Sequence, residues 1–102
     1  MKSDIMKDEQ IEKLAEAMLR LETKEEACSF FEDIFTIHEL QSVAQRLAVA
    51  RLLRQKVTYQ EIAERTGAST ATISRVNRSL AYGAGGYQLI LCKEDESQEG
   101  KE

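Results

Sequence analysis

Proline and tryptophan are absent from this sequence, cysteine occurs twice and glycine five times. Without proline, nothing interrupts a helix by removing an N–H donor. With few glycines, there are few places where the backbone turns freely through positive φ. Two cysteines are too few to staple a small secreted scaffold, and Cys28, Cys92 and His38 do not make up a structural zinc set. No apolar run approaches the ~20 residues of a membrane span, and no basic-then-apolar leader opens the chain. The expectation is a cytoplasmic protein that engages neither membrane nor metal. Its 102 residues suffice for one modest core, or for one protomer of an oligomer.

Charge is plentiful and unevenly placed. The net charge is −4, which by itself argues against a nucleic-acid partner. Residues 1–35 carry five cations and ten acids, a balance of −5. Residues 36–80 carry seven cations and three acids, a balance of +4, and residues 81–102 carry −3. A basic middle between acidic ends points to a local anion-binding face, or to a solvated helix with arginine on its outer side.

The apolar spacing is helical. Ile11, Leu14, Ala15, Met18 and Leu21 form a three-and-four stripe within residues 5–21. Thr23 and Glu26 have capping-box spacing and open a second segment containing Ala27, Phe30, Phe31, Ile34 and Phe35. Cys28, among these residues, is expected to be a buried free thiol. Thr36 and Glu39 form another box, flanked by Phe35 and Leu40 at staple spacing, and predict a helix over 37–54. Its apolar surface, from Leu40 to Leu53 and widened by Val49 and Leu52, predicts burial on more than one side. Thr58 and Glu61 repeat the box and start a short helix, 59–66, that Gly67 ends. Ser69 caps a further helix over about 70–80. Tyr87–Cys92 reads as a strand or extended docking segment, and residues 93–102 read as a disordered acidic tail. The domain expected is therefore a single helical one over 1–92.

The stretch from 58 to 80 carries the sharpest signal. A helix-turn-helix needs two short helices meeting steeply at a tight turn. Gly67 supplies the turn, Ala63 the close packing, and Ile62, Ile73, Val76 and Leu80 the anchors. The outward positions of the second helix are Ser69, Thr70, Thr72, Ser74, Arg75, Asn77 and Arg78, and no acid lies between Glu64 and Glu94. Hydroxyls, an amide and arginines suit phosphate oxygens and base edges. The competing reading is a helical hairpin with a polar face, serving as a protein-docking unit. An enzyme has the least support, because no nucleophile–base set accompanies His38.

Phe35–Leu80 resembles the Trp repressor superfamily, most closely its YerC/YecD branch. The residues that carry the likeness are Phe35-Thr36-Ile37-His38-Glu39-Leu40, Leu52-Leu53-Arg54, Thr58-Tyr59-Gln60-Glu61-Ile62 and the run Gly67–Leu80. The resemblance implies an all-α, intertwined helical homodimer reading a pseudo-palindromic operator in double-stranded DNA. It also implies a transcriptional regulator, most simply a repressor. The DNA contacts expected are Arg54, Lys56, Gln60, Ser69, Thr70, Thr72, Arg75 and Arg78, with Thr70 and Thr72 towards bases and the cations on phosphate. The positions matching the family's corepressor site are Thr36, Arg46, Arg75 and Ser79, where tryptophan or another small corepressor would sit. Two departures point away from tryptophan. The stretch after Arg46 is one residue shorter, which turns it by about 100° on a helix. Val76 stands where the Trp repressor has glycine. Arg75 is accordingly expected on phosphate and Arg46 on the surface, with no cofactor required.

Overall fold

The helices of this chain begin where short polar side chains can catch free backbone N–H groups. The structure, a computed structural model, describes residues 7–99. Six α-helices are present among them: α1 Glu9–Met18, α2 Lys24–Ile34, α3 Ile37–Arg54, α4 Tyr59–Thr66, α5 Thr70–Tyr82 and α6 Gly86–Glu99. Asp8 caps α1 by accepting from the N–H groups of Gln10 and Ile11 at 2.9 and 3.2 Å. The α3 box is reciprocal: the Thr36 hydroxyl accepts from the Glu39 N–H at 3.1 Å, and the Glu39 carboxylate accepts from the Thr36 N–H at 2.8 Å. In the α2 box Thr23 accepts from the Glu26 N–H, but Glu26 reaches back one residue further, to the Glu22 N–H. The Thr58 hydroxyl accepts from the Glu61 N–H at 3.3 Å and opens α4.

The chain separates into two compact units, Met1–Leu40 and Gln41–Glu102. In the first, α1 and α2 contain no buried residue among those described. Phe31 and Phe35 meet edge to face with ring centroids 5.9 Å apart. Ile11, Leu14 and Met18 remain exposed, as does Ile34. Cys28, expected to be a buried thiol, is exposed, because two helices of this length do not enclose a core.

The second unit holds the core. Val49, Ala50 and Leu52 of α3, Ile62 of α4, Ala68 of the turn, Ile73 and Val76 of α5 and Leu91 of α6 are buried together. Leu53, Val57, Ala63, Leu80 and Tyr87 pack around them. Ile62, Ile73 and Val49 are completely inaccessible, each worth about 1.5–3 kcal/mol relative to exposure. The breadth expected of α3 is thus realised in its second half, whereas Ile37 and Val43 in its first half stay exposed.

The C-terminal segment corrects the sequence reading. Tyr87–Cys92 is neither strand nor extended, and residues 93–99 are not a disordered tail: all lie in α6. Residues 100–102 of that expected tail lie outside the described residues. A short apolar run does not distinguish strand from helix by itself. Here the helix-forming residues after Cys92 continue the same segment. Tyr87 and Leu91, four apart, face the core, while Glu94 and Asp95 continue along that side towards α3.

Gly67 ends α4 in the left-handed region at φ 76°, and its N–H donates to the Ala63 carbonyl at 2.9 Å. A Cβ there would meet nothing nearer than Gln45 Nε2 at 3.9 Å. The constraint is therefore conformational rather than steric. Gly67→Ala is expected to lower unfolding stability by about 1–2 kcal/mol, measured by urea denaturation; an unchanged midpoint would show that the turn tolerates a side chain.

Candidate nucleic-acid interface

The turn between α4 and α5 is built from its own polar groups. Gln45 of α3 donates to the Thr66 carbonyl at 3.1 Å, tying the end of α4 to α3. The Thr66 hydroxyl donates to the Ile62 carbonyl at 2.7 Å and accepts from the Ala68 N–H at 3.1 Å. Ala68 is buried, and Ser69 caps α5 by accepting from the Thr72 N–H at 3.1 Å. Two short helices are thereby fixed about a three-residue turn, with Ile62 and Ile73 meeting in the core behind it.

With Ile73 and Val76 inward, the 100° step per residue sets the outer face of α5. Thr70, Ser74, Asn77 and Arg78 are exposed on it. An open depression of about 620 Å³ runs along this face, lined by Ser74, Asn77, Arg78, Ala81 and Tyr82. Ser74 and Asn77 were read as outward from the sequence but not counted among the contacts. Thr72, expected to reach bases, lies off this stripe. It is half-buried, and its Oγ1 accepts a 3.1 Å bond from the Ser69 hydroxyl. Arg75 is exposed at the side of the stripe, and Gln60 is exposed in the first turn of α4.

Lys56 occupies an unusual backbone position. After α3 the Val57 N–H donates to the Leu52 carbonyl at 3.1 Å and the Lys56 N–H to the Leu53 carbonyl at 3.0 Å. This is a Schellman ending, whose left-handed position usually takes glycine. Lys56 fills it at φ 65° and is exposed.

Arg54 is not a free cation. Its Nη2 donates to Asp95 Oδ2 at 2.8 Å and its Nη1 to Gln88 Oε1 at 3.2 Å, with Cys92 Sγ at 3.5 and 3.6 Å from the two nitrogens. One turn earlier Arg51 holds Glu94 with two bonds, at 3.0 and 2.7 Å. These contacts raise both guanidinium pKa values, Arg51 through Glu94 and Arg54 first through Cys92 and then Asp95. The Arg51 bond in turn holds the Glu94 carboxyl below the usual carboxylate range.

The positions matched to a corepressor site do not share the depression. Arg46 is half-buried in α3, Ser79 half-buried and Arg75 exposed on α5, and none of them lines it. The Thr36 hydroxyl is used as a cap. Val76 is 1% exposed and packed into the core. Among the described residues no group of His, Cys, Asp and Glu is arranged to hold a metal, and no helix is long and apolar enough to cross a membrane.

Residues 9–95 match the family model of the Trp repressor protein. The chain belongs to the Trp repressor family. It is 46% identical over 98 residues to the uncharacterized protein YerC of Bacillus subtilis (strain 168), covering 96% of this chain and 94% of that one. Its fold is similar to a TrpR-like protein from Eubacterium eligens ATCC 27750, with 51% identity and a TM-score of 0.84 over 88% of this chain and 93% of that one. It is also similar to a structure from Staphylococcus aureus proposed to be a Trp repressor, with 43% identity and a TM-score of 0.86 over 93% and 95% of the two chains. Membership gives the general class, an all-helical family of DNA-binding transcription regulators.

The Thr36–Glu39 box and the Arg51–Glu94 pair both depend on ionised carboxylates whose folded pKa values are lowered from 4.5. Their stabilisation is complete above the unfolded pKa and is lost as pH falls through the folded one. Thermal midpoints are expected to be flat from pH 7 to about 5 and to fall below about 4.5. Glu39 is exposed and Glu94 partly so, and their share of the fall is therefore small. Glu39→Gln with Glu94→Gln should make the fall shallower, and an undiminished fall would assign it to other groups.

Proposed function

We propose that this Trp repressor family member is a cytoplasmic, homodimeric, sequence-specific DNA-binding regulator that represses transcription. The outer face of α5 carries this reading: Thr70, Ser74, Asn77 and Arg78 stand exposed on a helix with no acid between Glu64 and Glu94. That helix is short and rigidly anchored, as a major-groove element must be. Its N-terminal hydroxyl and backbone N–H groups suit phosphate oxygens, and Asn77 has the donor–acceptor pair that reads adenine. Arg75, Arg78 and Lys56 supply cations to the backbone, and Gln60 lies on the helix that rests against it.

Dimerisation is supported by the apolar residues that this single chain leaves in water. Ile11, Leu14 and Met18 of α1, Ile34 of α2 and Ile37 of α3, 63% exposed, are all large and uncovered. A monomer rarely leaves so much apolar surface exposed. A two-fold dimer would present two α5 helices to half-sites about 34 Å apart on a pseudo-palindrome. A mode independent of tryptophan is supported by Val76, which is packed into the core at a position where the Trp repressor has glycine.

Titration of duplex DNA at several salt concentrations, with and without tryptophan, tests the reading. Arg78→Ala should weaken binding on all sequences and reduce the salt slope by about 0.9; an unchanged slope would remove Arg78 from the phosphate contacts. Lys56→Gly should raise stability by roughly 0.5–1 kcal/mol through relief of left-handed strain, while weakening DNA binding. Leu14→Glu should give a monomer by sedimentation and abolish tight operator binding. A folded Leu14→Glu protein that stays dimeric would place the interface elsewhere. Absence of salt-dependent binding by the wild-type chain and by every variant of it would favour a protein-docking module.

A further inference from the structure

The guanidinium fork of arginine accepts a carboxylate or a phosphate with the same two parallel bonds. Two such forks, Arg51 and Arg54, close the third helix: Glu94 of α6 fills the first with two bonds, and the second gives one bond to Asp95 and one to Gln88 of the same helix. Arg54 lies two residues before Lys56 and four before Thr58, the cap of the first helix of the helix-turn-helix. The basic segment 36–80 thus receives two acids from outside itself, and its balance falls locally from +4 to +2.

These pairs are poorly suited to be staples. The paired side chains are between 33% and 58% exposed, and solvent-exposed ion pairs contribute little to stability. The docking of α6 already has apolar anchors in Leu91 and Tyr87. Open exposure also leaves both arginines within reach of an incoming polyanion. The carboxylates can therefore leave the arginines by side-chain rotation while Leu91 and Tyr87 keep α6 docked.

We propose that Glu94 and Asp95 are internal phosphate mimics that hold Arg51 and Arg54 away from DNA, so that α6 restrains the affinity of the helix-turn-helix for any duplex. DNA binding requires the sugar–phosphate backbone to compete with these carboxylates, and the restraint acts most on non-specific binding, where phosphate contacts supply nearly all the affinity. This rests on the DNA-binding reading above.

The test is polarisation titration of full-length wild type, Asp95→Asn, Glu94→Gln and the double variant against an unrelated duplex at several salt concentrations. Each single variant is expected to bind about threefold tighter and the double about tenfold, with the salt slope rising by about 0.9 for each arginine released. Two controls separate masking from a general gain of positive charge. Glu96→Gln, on the same helix and outside both ion pairs, should change affinity much less than Asp95→Asn. In an Arg54→Ala background the gain from Asp95→Asn should disappear. Binding by the wild type with no gain in the variants overturns the mask and leaves the DNA reading standing. A gain that persists without Arg54, or an equal gain from Glu96→Gln, also overturns it. Binding by none of the proteins overturns both; binding by the double variant alone supports both.

Discussion

Everything in the second unit depends on one left-handed residue. Gly67 stops α4 after eight residues and lets Ala68 turn inward, so that Ile62 and Ile73 reach the same core from two helices. If α4 ran on, α5 would not exist as a separate helix and its outer face would have no fixed direction. The hydrogen bonds about the turn, from Gln45 to Thr66 and from Thr66 to Ile62 and Ala68, hold this corner without help from a distant loop. Burial of the two isoleucines supplies the energy, and the glycine decides where that energy can be collected.

The two ends of the chain bury their side chains to different extents. α1 and α2 contain no buried residue, and Ile11, Leu14, Met18 and Ile34 stay exposed on them. α6 contributes Leu91 to the core and then two carboxylates to the arginines of α3. The charge asymmetry of the sequence is therefore not three separate regions in space. Part of the acidic C-terminal segment lies on the basic middle, so the electrostatic face is set by the fold as much as by composition.

Most of the helical architecture was legible because its signals are local. Hydroxyl–carboxylate pairs three residues apart marked the starts of α2, α3 and α4, and the bounds of α3 and α4 follow from those caps and from Gly67. The resemblance around Gly67–Leu80 points to the family from the sequence alone. α6 was not legible, because a six-residue apolar run has no decisive period and its acids read as a solvated tail. Cys28 was misplaced for the same reason in reverse: its aromatic neighbours suggested a core that a two-helix unit cannot close. Within the candidate site, Arg54 was read as a phosphate contact and Thr72 as a base reader, since both lie in the right part of the chain.

The sequence alone determined where helices start and stop and which residues of α5 turn inward, since caps, turns and 3.6-residue periodicity act over a few positions. It also determined that the middle of the chain is basic. Only the tertiary structure decided which of those cations are free. Arg54 and Asp95 are 41 residues apart in sequence and 2.8 Å apart in space, and Arg51 and Glu94 are joined in the same way. Long-range pairing depends on how α6 packs, and no local pattern reports it. The fold therefore separates Arg78 and Lys56, which face solvent, from the arginines that already hold a carboxylate.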